Sequence, residues 1–348
     1  MTVSEKGLEG DPSFSPFCIA RMSHSFNRYC IIALFLSAGL LSCIPTQAQN
    51  KSSDQLLRLA YHSPVTDSRR EYFVYLPVAY EKRKEKAWPV ILFLHGNGQR
   101  GNGLDDLDFV LRHGPLMEAW IQRRDLPFIM ISPQLPVFGE QEAIDDRKNH
   151  VRPSRLERGV PERNYGYPSS LPIQRTDSED FPEGAHSTYD PYSEPATLPT
   201  GWNSLDEELI FILDQVLEDF RADPGRVYLT GISLGGFGAF HLAAKYPARW
   251  AAMATVVGTG RPEDAQKLAD ARLPIWMFGG GKDTVVKPHW LFDMARALEE
   301  AGHPALRFTV HEDMDHDAWK RVYEGEDLFN WFMRYTSNER PLRAEKSE

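Results

Sequence analysis

A short apolar strand, Val227-Tyr228-Leu229-Thr230, runs into Gly231-Ile232-Ser233-Leu234-Gly235 and on without a loop into Gly236-Phe237-Gly238-Ala239-Phe240-His241-Leu242-Ala243-Ala244. Few folds accommodate that succession. A strand that becomes a helix within five residues must turn sharply, and a serine at the apex sits strained and exposed while small flanking residues let other backbone come close. Ser233 is therefore a candidate nucleophile. The helix beginning just after it would aim free N–H groups and its positive end at charge developing beside the hydroxyl. A glycine-rich packing turn would account for the glycines, but not for the strand before them and the helix after them.

A serine hydroxyl needs a base to take its proton, and the base needs a carboxylate to hold it in the right tautomer. In the strand-turn-helix context the chain order is serine, then acid, then histidine. Asp283 follows Leu273-Pro274-Ile275-Trp276-Met277-Phe278 and a Gly279-Gly280-Gly281-Lys282 loop, where an orienting acid should emerge. Asp264 and Asp270 lie in a polar helical segment, and solvation explains them. For the base, His316 falls between the last strand and a C-terminal helix, in Asp313-Met314-Asp315-His316-Asp317-Ala318-Trp319. His311 competes, although it belongs to the strand end. His303 at a helix end, where the dipole favours a cation, and His289 at a helix start have structural explanations.

The run Val90 to Leu94 is followed by His95-Gly96-Asn97-Gly98-Gln99-Arg100-Gly101. Backbone N–H groups of Gly96, Asn97 and Gly98, together with that of Leu234, are the candidates to hold a developing oxyanion, with the glycines permitting close approach. The same residues spell G-x-G-x-x-G, the dinucleotide-binding pattern of an oxidoreductase. That alternative fails on context, because no apolar helix starts on Gly101 and Asp105 and Asp106 would repel a pyrophosphate. Glu118, at about the right offset for a ribose contact, falls within a helix and not at a strand end.

Beyond residue 50, short apolar runs alternate with amphipathic stretches, the pattern of an α/β fold with a largely parallel central sheet flanked by helices. Strands are expected at 71–76, 89–94, 128–132, 226–230, 252–257, 274–278 and 306–310. Leu205, Leu209, Ile212, Leu213, Val216, Leu217 and Phe220 mark one helix face, with Asn203 or Ser204 as its cap and Asp223-Pro224-Gly225 turning the chain back into the sheet. A second helix, about 288–301, should stop at Gly302. The stretch 137–200 breaks the alternation. It carries eight prolines and 12 acidic against seven basic residues with little apolar periodicity, so it reads as a long irregular insertion, either a plain excursion or a lid over the site.

The N-terminal 48 residues read as a leader ahead of one domain at 49–348. Tyr29 to Leu41 is apolar, follows Arg21 and Arg28, and at about a dozen residues suits a signal-peptide h-region better than a membrane span. The leader fits better with Met22 as the initiator. Two processing readings compete: cleavage after Thr46-Gln47-Ala48, releasing a soluble exported protein, or a lipobox at Leu40-Leu41-Ser42-Cys43, giving a lipid anchor on Cys43 at the cell envelope. Cys18, Cys30 and Cys43 are the chain's three cysteines, so the mature domain has at most one thiol and no disulfide framework, cysteine-rich zinc site or cysteine nucleophile. The formal net charge of −10, with acidic and basic residues interspersed along most of the chain and no Lys/Arg cluster that could follow a phosphate backbone, argues against a nucleic-acid partner.

Taken together, His95-Gly96 through Gly101, His113-Gly114-Pro115, Ser132-Pro133-Gln134, Asp223 to Gly231, the serine turn, Lys282-Asp283 and His316-Asp317-Ala318-Trp319 resemble the secreted phospholipase/carboxylesterase and polyhydroxybutyrate-depolymerase-like esterases, some of whose members are called predicted peptidases. The resemblance spans roughly 71–335. It implies the α/β-hydrolase fold and hydrolysis of small-molecule or polymer-attached carboxylic esters through an acyl-enzyme, with Ser233, His316 and Asp283 as the triad and no metal or organic cofactor. Gln99 where an acid is common, Gly279 in place of histidine, Lys287 in place of proline and Asp315 in place of glycine depart from the pattern and bear on substrate preference. A peptidase with the same chemistry and a non-catalytic binding protein on the same fold are the alternatives. Trp202, Trp276, Trp290 and Trp319 lie near the proposed loops, with core packing the simpler explanation for most.

Overall fold

The computed structural model describes residues 55–138, 153–155 and 201–339. The leader, including Met22, the alternative cleavage sites and Cys43, lies outside the described residues, as does most of 137–200. Eight strands are present: β1 (Leu56–Ser63), β2 (Ser68–Tyr75), β3 (Trp88–Leu94), β4 (Ile129–Ser132), β5 (Ala222–Ile232), β6 (Ala252–Val256), β7 (Ile275–Gly280) and β8 (Leu306–His311). They form one sheet in the order β1-β2-β4-β3-β5-β6-β7-β8. All neighbours from β4 to β8 pair parallel, while β1 and β2 add an antiparallel hairpin at one edge.

The reason the central strands are continuous apolar runs is visible in their packing. Every residue of β3, β4, β6 and β7 is buried, as both faces of a parallel sheet must be covered by crossover elements. Along β3 the side chains alternate: Val90, Leu92 and Leu94 join one core and Ile91 and Phe93 the other. The first core is closed by α1 (Asp206–Asp219), α2 (Leu234–Lys245) and α4 (Pro288–Glu300), following the short α3 (Ala265–Ala271). The second is closed by the segment 107–121 and by α5 (Trp319–Glu324) and α6 (Asp327–Phe332).

Seven expected strands are present, and β1 was not anticipated. It lies at the sheet edge with exposed or half-exposed residues along most of its length, so its sequence lacks the apolar signal of its neighbours. Three local expectations need correction. Asn203 and Ser204 do not cap α1: they sit one turn early, where Asn203 Oδ1 accepts from Gly201 N at 2.8 Å and Ser204 Oγ donates to Gly201 O at 2.6 Å. Asp206, Glu207 and Glu208 in the first turn complement the helix dipole instead. Asp223-Pro224-Gly225 is a bulge inside β5, not a turn before it. The register jumps from Trp88–Ala222 to Val90–Val227, and Asp223 Oδ1 takes the Gly225 N–H at 2.9 Å. Burial holds His303 down to about 4, so it is neutral, and its Nδ1 accepts from Ala305 N at 3.2 Å. The α4 stop at Gly302 follows the expected pattern, with φ +67 and paired bonds from Gly302 N to Glu299 O and from His303 N to Leu298 O.

Candidate active site

The ends of β5, β7 and β8 meet at one edge of the sheet, and each carries one of the three sequence candidates on the loop that follows. Ser233 sits between β5 and α2 with φ 50 and ψ −120, a conformation a non-glycine residue holds only when its surroundings over-determine it. They do. The Ser233 N–H is bonded to Val256 O at 2.9 Å, and its carbonyl accepts from Gly236 N at 2.7 Å and Phe237 N at 3.2 Å. The flanking glycines are required by contact with backbone. A Cβ on Gly231 would lie 2.1 Å from Gly235 O, and one on Gly235 would lie 1.9 Å from Leu94 O.

Asp283 and His316 are brought together by two interlocked loops. Gly281 N bonds to His311 O at 2.8 Å and Lys282 N to Met314 O at 2.9 Å, and a Cβ on Gly280 would fall 2.1 Å from Asp315 O. The glycine run after β7 is thus what allows the loop after β8 to lie against it. Asp283 is buried. Its Oδ1 accepts the N–H groups of Val285 at 2.8 Å and Val286 at 2.9 Å, which leaves Oδ2 for His316 Nδ1 at 2.8 Å. On the other side of the ring, His316 Nε2 lies 2.9 Å from Ser233 Oγ. Trp319 meets the His316 ring edge-on, with centroids 5.3 Å apart, and His113 packs against the same indole at 5.3 Å. The sequence placed Trp319 near the site without this role, for which no local motif exists.

His311, the rival base, ends β8 with its ring stacked on Phe278, and Arg321 donates to its Nδ1 at 3.4 Å. Burial pushes its pKa down to about 4. Asp264 pairs with Arg261, and Asp270 with Gln266. Of the four tryptophans, Trp202 and Trp276 are fully buried, and Trp290 packs against His289.

At the loop after β3, Gly96 borders the serine: a Cβ there would lie 3.5 Å from Ser233 Cβ and from Ile232 O. Neither Asn97 N–H nor Leu234 N–H donates a backbone bond to another described residue. Gly98 has nothing within 4 Å of an added Cβ, so the close approach expected of it is absent from the described contacts. Gly101 is tightly enclosed, with Asp106 Cβ and Gln134 Nε2 at 2.5 Å from an added Cβ, which leaves a pyrophosphate no space. Glu118 is buried and bound to Arg124 at 2.9 Å, a structural ion pair.

This sheet, with helices on both faces and a serine lifted on a strand-to-helix turn, has the architecture of the α/β-hydrolase fold. The family model described as the dienelactone hydrolase family matches residues 186–326, less than half of the chain and including Ser233, Asp283 and His316. No match is found among curated protein sequences. Among solved structures, the chain is similar to a thermostable esterase, with 19% identity, a TM-score of 0.52, and coverage of 81% of this chain and 64% of that one. It therefore spans less than two thirds of that esterase. Further similar structures are a ferulic acid esterase (16% identity, TM-score 0.48, 80% and 97% covered) and an S-formylglutathione hydrolase from Agrobacterium tumefaciens (16%, 0.47, 80% and 94%).

Proposed function

We propose that this protein cleaves carboxylic esters through an acyl-enzyme on Ser233. One observation carries the reading: an unbroken hydrogen-bonded line from Ser233 Oγ to His316 Nε2 at 2.9 Å and from His316 Nδ1 to Asp283 Oδ2 at 2.8 Å. Asp283 Oδ1 is already occupied by two backbone N–H groups, so the carboxylate cannot rotate away and Nδ1 carries the proton it donates. His316 Nε2 is then free to take the serine proton as Oγ attacks the ester carbonyl.

The tetrahedral oxyanion is held by backbone N–H groups of Leu234 and of the loop after Gly96. Its collapse expels the alcohol, which takes the proton back from His316. Water then repeats the sequence on the acyl-serine and releases the acid. Throughout, the Asp283 carboxylate orients the ring and stabilises the imidazolium.

A fluorophosphonate probe should label the purified protein, and Ser233→Ala should abolish both labelling and p-nitrophenyl acetate hydrolysis. Persistent labelling in the variant would refute the assignment. Faster turnover of short peptide anilides than of the ester would move the reading to a peptidase, because the acyl-transfer machinery is shared and only the pocket and leaving group differ.

A further inference from the structure

His95 is the first residue beyond β3, and its ring is completely buried. Nδ1 lies 2.7 Å from Gly96 O, and Nε2 lies 3.0 Å from Leu135 N. A backbone N–H can only donate, so Nε2 is the unprotonated nitrogen and Nδ1 carries the hydrogen given to the Gly96 carbonyl. The tautomer is thereby dictated by main chain on one side and used on main chain on the other. Trp202 holds the residue from above: its Nε1 donates to His95 O at 3.1 Å and its ring meets the imidazole edge-on at 4.9 Å. Trp202 is itself seated on α2, where a Cβ on Gly238 would come within 2.5 Å of Trp202 Cβ.

The carbonyl that His95 binds belongs to the peptide unit whose N–H is that of Asn97. In a trans peptide the two point in opposite directions, so a carbonyl drawn to the imidazole turns the Asn97 N–H the other way. That N–H has no backbone acceptor among the described residues, and the preceding Gly96 borders Ser233. We propose that His95 is a positioning residue, whose Nδ1–H locks the Gly96–Asn97 peptide so that the Asn97 N–H, and not the Gly96 carbonyl, faces the oxygen of the reacting ester. The assignment rests on the hydrolase reading of Ser233. A flipped peptide would replace a donor with a lone pair at the point where negative charge develops. Loss of one oxyanion donor lowers kcat by about 100- to 1,000-fold.

Two substitutions separate the two bonds of the ring. In His95→Asn the side-chain NH₂ reaches the place of Nδ1 and can still donate to Gly96 O, but nothing reaches Leu135 N. In His95→Gln the side-chain oxygen reaches the place of Nε2 and can accept from Leu135 N, leaving the Gly96 carbonyl only the longer bond from Gln99 N at 3.3 Å. Kinetics on p-nitrophenyl acetate with parallel thermal melts should show kcat down about 100-fold or more in His95→Gln with KM within about threefold of wild type. In His95→Asn, kcat should stay within about tenfold. A purely structural role would lower Tm in both and leave kcat of the folded fraction alike.

Equal losses of kcat in the two variants, or a fall of about 100-fold in folded His95→Asn, overturn the proposal, and the second result decides even where His95→Gln fails to fold. Fluorophosphonate labelling of wild-type Ser233 tests the underlying reading by itself. An unlabelled wild type removes both assignments, whereas a labelled wild type with equal losses removes only that of His95.

Discussion

Replacing Asp283 with asparagine changes one atom and should reverse the polarity of the entire line. The two oxygens of Asp283 have different partners: Oδ1 accepts from Val285 N and Val286 N at 2.8 and 2.9 Å, and Oδ2 accepts from His316 Nδ1 at 2.8 Å. An asparagine can keep the first pair only by placing its oxygen there, because an NH₂ facing two N–H groups would forfeit both buried bonds, each worth about 1 kcal/mol and more when left unsatisfied. Its NH₂ is therefore directed at His316. The imidazole must answer with an unprotonated Nδ1, so the proton moves to Nε2 and is donated to Ser233 Oγ, 2.9 Å away. A hydroxyl that accepts a hydrogen bond from the histidine has no base. In an enzyme using this arrangement the same exchange lowers kcat by about 10⁴, or roughly 5.5 kcal/mol of barrier. Because the two backbone bonds survive, Tm should change by no more than a few degrees. Asp283→Ala should be less stable than Asp283→Asn by about 1–3 kcal/mol, having lost the acceptor for both N–H groups. Ester hydrolysis under saturating substrate, with parallel melts, measures both effects. An Asp283→Asn variant with kcat within tenfold of wild type and a native Tm would show that the carboxylate does not set the tautomer of His316, and the mechanism would have to be redrawn.

Two further outcomes concern stability. Gly235→Ala should cost about 4 kcal/mol or more, since its methyl would lie 1.9 Å from Leu94 O, whereas Gly98→Ala, with nothing within 4 Å, should leave Tm within about two degrees of wild type; thermal melts that rank the two equally would contradict the close packing of the elbow on β3. Burial pushes His113, His303 and His311 down to about 4, against about 6.5 in an unfolded chain. The unfolded state therefore binds more protons in that interval, so their contribution is complete above about pH 6.5 and is lost as pH falls toward 4, with a slope of up to about 1.4 kcal/mol per pH unit for each ring. Urea unfolding at pH 7, 6 and 5 should show this decline and His303→Gln should flatten it; an unchanged slope in that variant would argue that His303 is protonated in the fold.

What could be read from the chain follows from how local each determinant is. β3, β4, β6 and β7 are legible because each is buried on both faces and so carries an unbroken apolar run. β1 is not, because an edge strand satisfies only part of its surface with the core and its sequence keeps no clear period. The start of α1 at Asp206 lies beyond the cap-type residues of the sequence for a related reason. Asn203 and Ser204 have the chemistry of caps, but their side chains are spent on the Gly201 peptide one turn earlier, and propensity cannot tell which of two adjacent turns will recruit them. His303 shows the limit of dipole reasoning: position at a helix end favours a cation, yet burial outweighs it and leaves the ring neutral.

At the site, the legible residues are those whose work demands a backbone peculiarity. Ser233 announces itself through the glycines that its φ of 50 and the approach of β3 require, and Asp283 through the Gly279-Gly280-Gly281 run that lets the loop after β8 dock. The choice of His316 over His311 rests on its place in the loop between the last strand and the C-terminal helix, and the two rings differ in what reaches them: Asp283 and Ser233 flank His316, while Phe278 and Arg321 occupy His311. His95 and Trp202 belong to another category. Nothing near Leu135 or Trp202 in the sequence points toward the loop after β3, from which they are separated by 40 and 107 positions. A group that acts by bonding to peptide units leaves no complementary side chain to search for, since every residue offers the same N–H and C=O. The two main-chain bonds of His95, on which its proposed positioning role rests, are thus visible only in the fold, and the most informative substitutions there are those, like asparagine and glutamine at 95, that spare one main-chain bond while removing the other.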